Sequence, residues 1–231
     1  MTESIIKITP LQGTSQGSET FKVDFANGAE KVFKTWDYAS IYSYPKLYSR
    51  LYCDLLDYKA YEELSCLLLK YAAKTHKELN VLDLACGSGL MGKALKENSN
   101  VDIKSLVGVD ILPEAIDALN RDYPEIYDDT FIVKNVIKNK NLTKYDFNCI
   151  TISGGANHIE LEDLKSYVNL LNENAYIVFN LLTDKDDYRR SRILGWLEQE
   201  MSLCESKIYN HRRLMSGDIV KHEAFLYYKR D

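Results

Sequence analysis

The sequence predicts an α/β fold: a doubly wound, seven-stranded, mostly parallel sheet whose last strand runs antiparallel, preceded by a small N-terminal β-appendage. Three observations predict it. From residue 80 onward short apolar runs alternate with amphipathic helical stretches, the succession that builds a parallel sheet through right-handed crossovers. The runs "NVLDLA", "SLVGVDI", "DTFIVKNV", "YDFNCITIS" and "NAYIVFNLL" are nearly continuously apolar, as strands covered on both faces must be. Finally, "SKIYNHRRL" and "DIVKHEAFLYYKR" are joined by "MSGD", too short for a crossover, so these two strands pair antiparallel.

Each element follows in order. Residues 1–34 differ from the rest: "SIIKITP" and "TFKVDF" are strand-like, and "FANGAEKVF" holds Asn27-Gly28, the strongest short hairpin signal. "QGTSQGSE" reads as a loop. Residues 35–231 form the main domain, with 35–79 as a helical lid segment. In "WDYASIYSYPKLYSRLYCDLLDYKAYEELSCLLLKYAAK", Leu64, Leu67, Leu68 and Tyr71 fall on one helical stripe. "LMGKALKEN" and "LPEAIDALNRDY" are helices, the second opened by Pro113 near its first turn. "LEDLKSYVNLL" places Leu161, Leu164, Val168 and Leu171 on one face, and "DYRRSRILGWLEQEMSLCE" is the last helix.

Composition bounds the function. The chain has 231 residues, 45% hydrophobic and 27% charged, with a net charge of −5, which fits one large domain able to bury a full core. Net acidity argues against a protein that mainly grips a nucleic-acid backbone. Cys53, Cys66, Cys86, Cys149 and Cys204 are scattered, with no C-x-x-C pair and no histidine at ligand spacing, so they read as reduced core thiols, with no metal site. The first residues lack a basic stretch followed by a long apolar one, so no signal peptide is expected, and no apolar run approaches about 18 residues. A cytoplasmic protein without a membrane partner is expected, monomeric or homodimeric.

"VLDLACGSG" carries the first chemistry. It lies where a strand gives way to a helix, and such sheets bind ligands beyond the carboxyl ends of their strands. Gly87 and Gly89 let the backbone approach a ligand closely. The pattern is D-x-A-x-G-x-G, neither G-x-G-x-x-G nor a Walker A. Asp83 decides the ligand's charge. A carboxylate there repels a pyrophosphate but suits a positively charged amino group, as in a nucleoside bearing an amino acid.

On these residues the chain resembles the class I S-adenosylmethionine-dependent methyltransferases over roughly residues 36 to 231. "VLDLACGSG" is similar to the family's cofactor loop, "LVGVDI" to its second strand with a terminal acid, "FIVKNV" to its third and "YDFNCITIS" to its fourth. The resemblance implies S-adenosylmethionine as cofactor and S-adenosylhomocysteine as product. It implies that Asp83, with backbone at Ala85, Gly87 and Gly89, holds the methionine end. Asp110 would accept from both ribose hydroxyls, and Ile111 would pack on the adenine. Asn135 and Val136 fall where the family has an acid and an apolar residue at the adenine edge. Asn135 departs from that acid, although its amide oxygen still accepts a hydrogen bond. Ser153 and Gly154 would lie under the sulfonium.

Bland alternatives stand beside these. Asp83 could cap the following turn, Asp110 the helix ahead of Pro113, and the glycines could serve packing alone. His158, in "SGGANHIE", follows the fourth strand, where a general base would overhang the methyl; histidine is the side chain that changes charge nearest neutral pH. It is equally a solvent-facing or capping residue. That loop resembles the one in bacterial amino-sugar N-methyltransferases, and "LDLACGSGLMGKAL" a group of vertebrate methyltransferase-like proteins. His76, His211 and His222 read as surface residues. Trp36, Tyr38, Tyr42 and Tyr44 form a candidate substrate lid, with ordinary core packing as the rival. Arg189, Arg190 and Arg192 could bind an anion, but a solvated helix face explains them better.

Absences narrow the acceptor. There is no N/D-P-P-Y, no proline-cysteine nucleophile, no three-cysteine cluster and no acid set of the catechol type. The expectation is methyl transfer to an N or O nucleophile of a small molecule. Two other readings stand: a protein or RNA methyltransferase that docks through residues 1–34, and a non-catalytic protein that binds the cofactor.

Overall fold

Two sheets carry the chain in a computed structural model that describes residues 4–12, 15–98, 100–133 and 141–229. The first is antiparallel, built from β1 (Ile5–Gln12), β2 (Thr20–Phe25) and β3 (Glu30–Lys34) in that order. The Asn27-Gly28 signal is realised as the β2–β3 turn. Gly28 adopts φ 82°, and Asn27 Oδ1 accepts from the Ala29 amide at 2.9 Å. Alternation in β2 turns Phe21, Val23 and Phe25 inward. They share one apolar cluster with Ile41, Leu47, Leu51 and Leu64 of the following helices.

Residues 36–75 form several short helices where the sequence suggested one continuous stretch. They are α1 (Tyr38–Tyr42), α2 (Leu47–Ser49), a π-helical turn (Arg50–Leu55) and α3 (Ala60–Thr75). The breaks have local causes. Pro45 follows α1, and Lys46 and Asp57 take left-handed backbone, φ 54° and 52°. In α3 Leu64, Leu67 and Leu68 are buried as the stripe requires.

The second sheet contains β4 (Glu78–Leu84), β5 (Asp102–Asp110), β6 (Asp129–Ile132), β7 (Phe147–Ile152), β8 (Leu171–Leu182), β9 (Ser202–Arg213) and β10 (Ile219–Lys229). Their spatial order is β6-β5-β4-β7-β8-β10-β9. The first five run parallel, and β10 is antiparallel to both β8 and β9. The crossovers are α4 (Leu90–Asn98), α5 (Pro113–Asp122), α6 (Leu161–Val168) and α7 (Tyr188–Glu200). This is the predicted seven-stranded, mostly parallel sheet. Strand order reverses at β4, between β5 and β7, so a crevice opens above its carboxyl end.

The cysteines form no disulfide, and Cys66 is exposed, unlike the core thiol expected. Among the described residues no helix is long and apolar enough to cross a membrane.

Candidate functional site

A cavity of about 850 Å³ lies above that crevice. Its floor comes from three strand ends. Asp83, next to last in β4, is fully buried. Its carboxylate accepts from Tyr127 Oη at 2.6 Å and Thr151 Oγ1 at 2.7 Å. Tyr127 reaches it through a slot of glycines: a Cβ on Gly92 would come within 2.4 Å of that ring and one on Gly108 within 2.9 Å. Its hydroxyl also accepts from the Gly92 amide at 3.0 Å.

Burial pushes the Asp83 carboxyl up to about 7, against the opposing pull of the Thr151 and Tyr127 hydrogen bonds. In an unfolded chain an aspartate ionises near 3.9. The folded protein therefore binds this proton more tightly. The resulting stabilisation is complete below about pH 4, declines as pH rises towards 7, and is constant above. Asp83→Asn should remove that slope: read by urea unfolding, the wild type loses stability relative to the variant as pH rises from 4 to 7. Parallel profiles would show that the carboxyl does not titrate there.

After β4 the chain turns through Ala85 and Gly87, both at φ 54°. Glycine is required at 87 because a Cβ would stand 2.6 Å from the Tyr42 hydroxyl. Asp110, at the end of β5, binds this loop through the Gly87 amide and its own following turn through the Leu112 amide, accepting from each at 2.9 Å. Burial raises its carboxyl, with those amide hydrogen bonds opposing. Ile111 stands exposed on the cavity rim. Beyond β7, Ser153 Oγ lies 3.2 Å from Tyr58 Oη, and the Gly154 amide donates to Asn180 Oδ1 at 2.8 Å.

Asp83, Ala85, Gly87, Asp110, Ile111, Ser153, Gly154, His158, Trp36, Tyr38 and Tyr42 all line this one cavity. Two expected residues do not. Gly89 sits below it, where a Cβ would meet Leu119 at 3.0 Å, so its φ of 90° serves helix packing. Tyr44 packs on Phe25 and Phe33 of the N-terminal sheet, at 5.1 and 5.6 Å between ring centroids. It is a core group that neighbours the lid. Asn135 and Val136 lie outside the described residues.

The histidines need correction. His211 and His222 are buried cavity walls on β9 and β10, with stacked rings 3.6 Å apart. Desolvation holds them neutral, down to about 2 and about 4. Both strands pair elsewhere along their backbones, so sequence alternation does not reveal which face looks into the cavity. His158 ends a short 3₁₀ turn, exposed on the rim. Arg189 pins this loop, donating to the Asn157 carbonyl at 2.8 Å and to Glu160 at 2.9 Å. Arg190 is not on a solvated face: it is buried and paired with Glu223 at 2.6 Å.

Sequence reading missed the middle of the aromatic wall. Tyr42, Tyr48, Tyr52 and Tyr58 follow one another at 5.0, 4.5 and 6.1 Å between centroids, and Tyr58 meets the edge of His211 at 5.0 Å. Tyr52 sits in the π-helical turn, a device frequent at functional sites, and its hydroxyl donates to the Thr35 carbonyl. Their spacing of four to six residues was the available signal. The N-terminal segment adds to the rim: Gly17 and Trp36 line the cavity, and Trp36 Nε1 donates to the Gly17 carbonyl at 2.7 Å.

Comparison with known proteins bears on the fold. Residues 81–173 match the family model described as a methyltransferase domain. The N-methyltransferase NodS of Bradyrhizobium japonicum, solved with S-adenosylhomocysteine, is similar at TM-score 0.57 and 14% identity, covering 76% of this chain and 90% of its own. The plantazolicin methyltransferase BpumL, also with S-adenosylhomocysteine, is similar at 0.54 and 15% over 85% of this chain and 95% of its own. An S-adenosylmethionine-dependent methyltransferase of Clostridium acetobutylicum is similar at 0.53 and 14% over 80% and 97%. Comparison by sequence with curated proteins gives no match.

Proposed function

We propose that this chain, whose residues 81–173 match a methyltransferase-domain model and whose fold is similar to S-adenosylmethionine-dependent methyltransferases, transfers a methyl group from S-adenosylmethionine to an N or O nucleophile of a small molecule. The observation that supports a small acceptor is that the chain's own N-terminal segment lines the cavity, through Gly17 and Trp36. Its volume of about 850 Å³ lies in the range of small-molecule sites.

The residues fit the cofactor. A left-handed Ala85–Gly87 turn brings backbone to the cavity with no side chain at 87. Acceptor carboxylates stand at two strand ends, Asp83 for an ammonium and Asp110 for hydroxyls. Bound there, S-adenosylmethionine supplies a methyl group already activated on a sulfonium, and S-adenosylhomocysteine remains. The chain's own work is to position the nucleophile and exclude water. The Tyr42–Tyr58 wall offers aromatic faces that favour positive charge. Burial keeps the Tyr42, Tyr48, Tyr52 and Tyr58 phenols protonated, so they act as hydrogen-bonding groups and not as bases. His158, on the rim, remains for proton removal.

Calorimetry with S-adenosylhomocysteine tests the reading: micromolar-range binding is expected, and no heat would overturn it. His158→Ala should leave that affinity within about twofold. Turnover, followed as S-adenosylhomocysteine release, should fall roughly 10²-fold, the usual contribution of a positioned base. Equal turnover in both proteins would remove His158 from the chemistry.

A further inference from the structure

The hydroxyls of the tyrosine row along the cavity divide into two kinds. Tyr52 donates to the Thr35 carbonyl, and Tyr58 shares a hydrogen bond with Ser153. Tyr42 and Tyr48, neighbours at 5.0 Å between ring centroids, have no hydrogen-bond partner for theirs among the described residues. Among those residues, the side-chain oxygens and nitrogens that are buried without a partner belong to Asp24, Ser88 and His222. The Tyr42 and Tyr48 oxygens are therefore open to the cavity that both residues line. Tyr42 Oη faces the loop after β4, where a Cβ on Gly87 would stand 2.6 Å from it. Burial of the rings keeps both phenols protonated, so each presents a neutral oxygen with lone pairs.

The charged groups of the same cavity set the sign of what these oxygens hold. Arg212, the guanidinium on the wall among the described residues, is paired with Glu19 at 2.5 Å. Burial holds His211 and His222 neutral. Against them stand the carboxylates of Asp83, Asp110, Glu160 and Asp163. Glu160 is paired with Arg189 at 2.9 Å. Asp163 is half-buried and has no ion-pair or hydrogen-bond partner among the described residues. Asp83 acts electrostatically on Tyr58, and Asp110 on Tyr42. The balance is anionic. An anionic oxygen nucleophile is repelled there, and a cation is drawn in.

We propose that the acceptor is a primary amine, held through two of its N–H groups by the Tyr42 and Tyr48 hydroxyl oxygens. This narrows the methyltransferase reading of the cavity and rests on it. An alkylammonium has three N–H donors and no acceptor, so both phenols must accept from it. The third proton leaves to His158, and the lone pair it frees points away from the tyrosines. That pair forms the N–C bond as the C–S bond breaks, with the bonding electrons kept by sulfur. The nitrogen takes over the positive charge of the sulfonium while its other two N–H groups stay on the tyrosines. An alcohol has one O–H, which it must give up to react, so it cannot satisfy both oxygens.

Probes of one skeleton with different heads test this at neutral pH: neopentylamine, neopentyl alcohol, pivalate and neopentyltrimethylammonium. Each is titrated into the full chain saturated with S-adenosylhomocysteine. Neopentylamine should bind about tenfold or more tightly than any of the others, as hydrogen bonds to a charged group allow. Tyr48→Phe keeps the ring and removes the open oxygen. It should weaken neopentylamine roughly tenfold and the alcohol no more than about threefold, with S-adenosylhomocysteine affinity unchanged. The proposal is overturned if the alcohol or pivalate binds as well as the amine. Equal binding of neopentyltrimethylammonium overturns it too, because charge without N–H donation would then suffice. So does unchanged amine affinity in Tyr48→Phe, or failure of every probe to bind. If Tyr48→Phe does not fold, the wild-type order of the probes decides. An absence of heat with S-adenosylhomocysteine would instead overturn the cofactor reading, and the probe titrations remain readable on the free protein.

Discussion

Asp110→Ala should raise the dissociation constant for S-adenosylhomocysteine by about 100-fold or more while the protein still folds. The carboxylate accepts the Gly87 and Leu112 amides, both at 2.9 Å, from a nearly buried position. Hydrogen bonds to a charged group contribute about 1.5–3 kcal/mol each. Losing both frees the loop after β4, held through Gly87, and the turn after β5, held through Leu112, and removes the acceptor proposed for the ribose. Three kcal/mol corresponds to roughly a hundredfold in affinity. Asp110→Asn keeps one acceptor oxygen and should fall between. Calorimetry beside a melting curve separates the two effects. An unchanged dissociation constant would restrict Asp110 to shaping the loop, the capping role that its sequence position before Pro113 also allowed.

The sequence made the sheet legible because hydrophobic pattern and strand order are local properties that repeat. "VLDLACGSG" and the terminal acid of "SLVGVDI" sit at strand ends, and strand ends converge at the reversal of strand order. Asp83, Gly87 and Asp110 could thus be placed together without coordinates. Other residues were misread for a physical reason. Gly89 and Gly87 look alike in sequence, yet one meets Leu119 and the other a tyrosine hydroxyl in the cavity. Tyr42 and Tyr44 are two residues apart and point to different surroundings, cavity and N-terminal sheet. His211 and His222 read as surface residues because they sit on the terminal hairpin. Their burial depends on which face of the β9–β10 hairpin the N-terminal segment covers, a contact between residues far apart in the chain. Tyr127 carried no pattern at all. Its role follows from the glycines at 92 and 108, which only the fold brings together.

That long-range contact yields the largest stability effect expected. Glu19, just before β2, is fully buried, and Arg212 of β9 is nearly so. Their side chains pair at 2.5 and 3.3 Å. Glu19 also accepts from the Met215 amide at 2.7 Å, and its carbonyl from the Thr35 amide at 3.1 Å. The pair fastens the N-terminal segment, with Gly17 and Trp36, over the cavity. Glu19→Ala leaves the guanidinium buried with only the Arg213 carbonyl, at 2.9 Å, as partner among the described residues. Breaking one side of a buried pair costs about 3–5 kcal/mol, which in a chain of this size lowers the melting temperature by roughly 10 °C. Replacing both, Glu19→Leu with Arg212→Met, should recover most of the loss, since well-packed apolar groups can match a buried pair. Because the segment also roofs the cavity, Glu19→Ala should make the N-terminal sheet the first site of proteolysis. A melting point within about 2 °C of wild type would mean that the pair does not hold this segment in solution, and the small acceptor would lose its support.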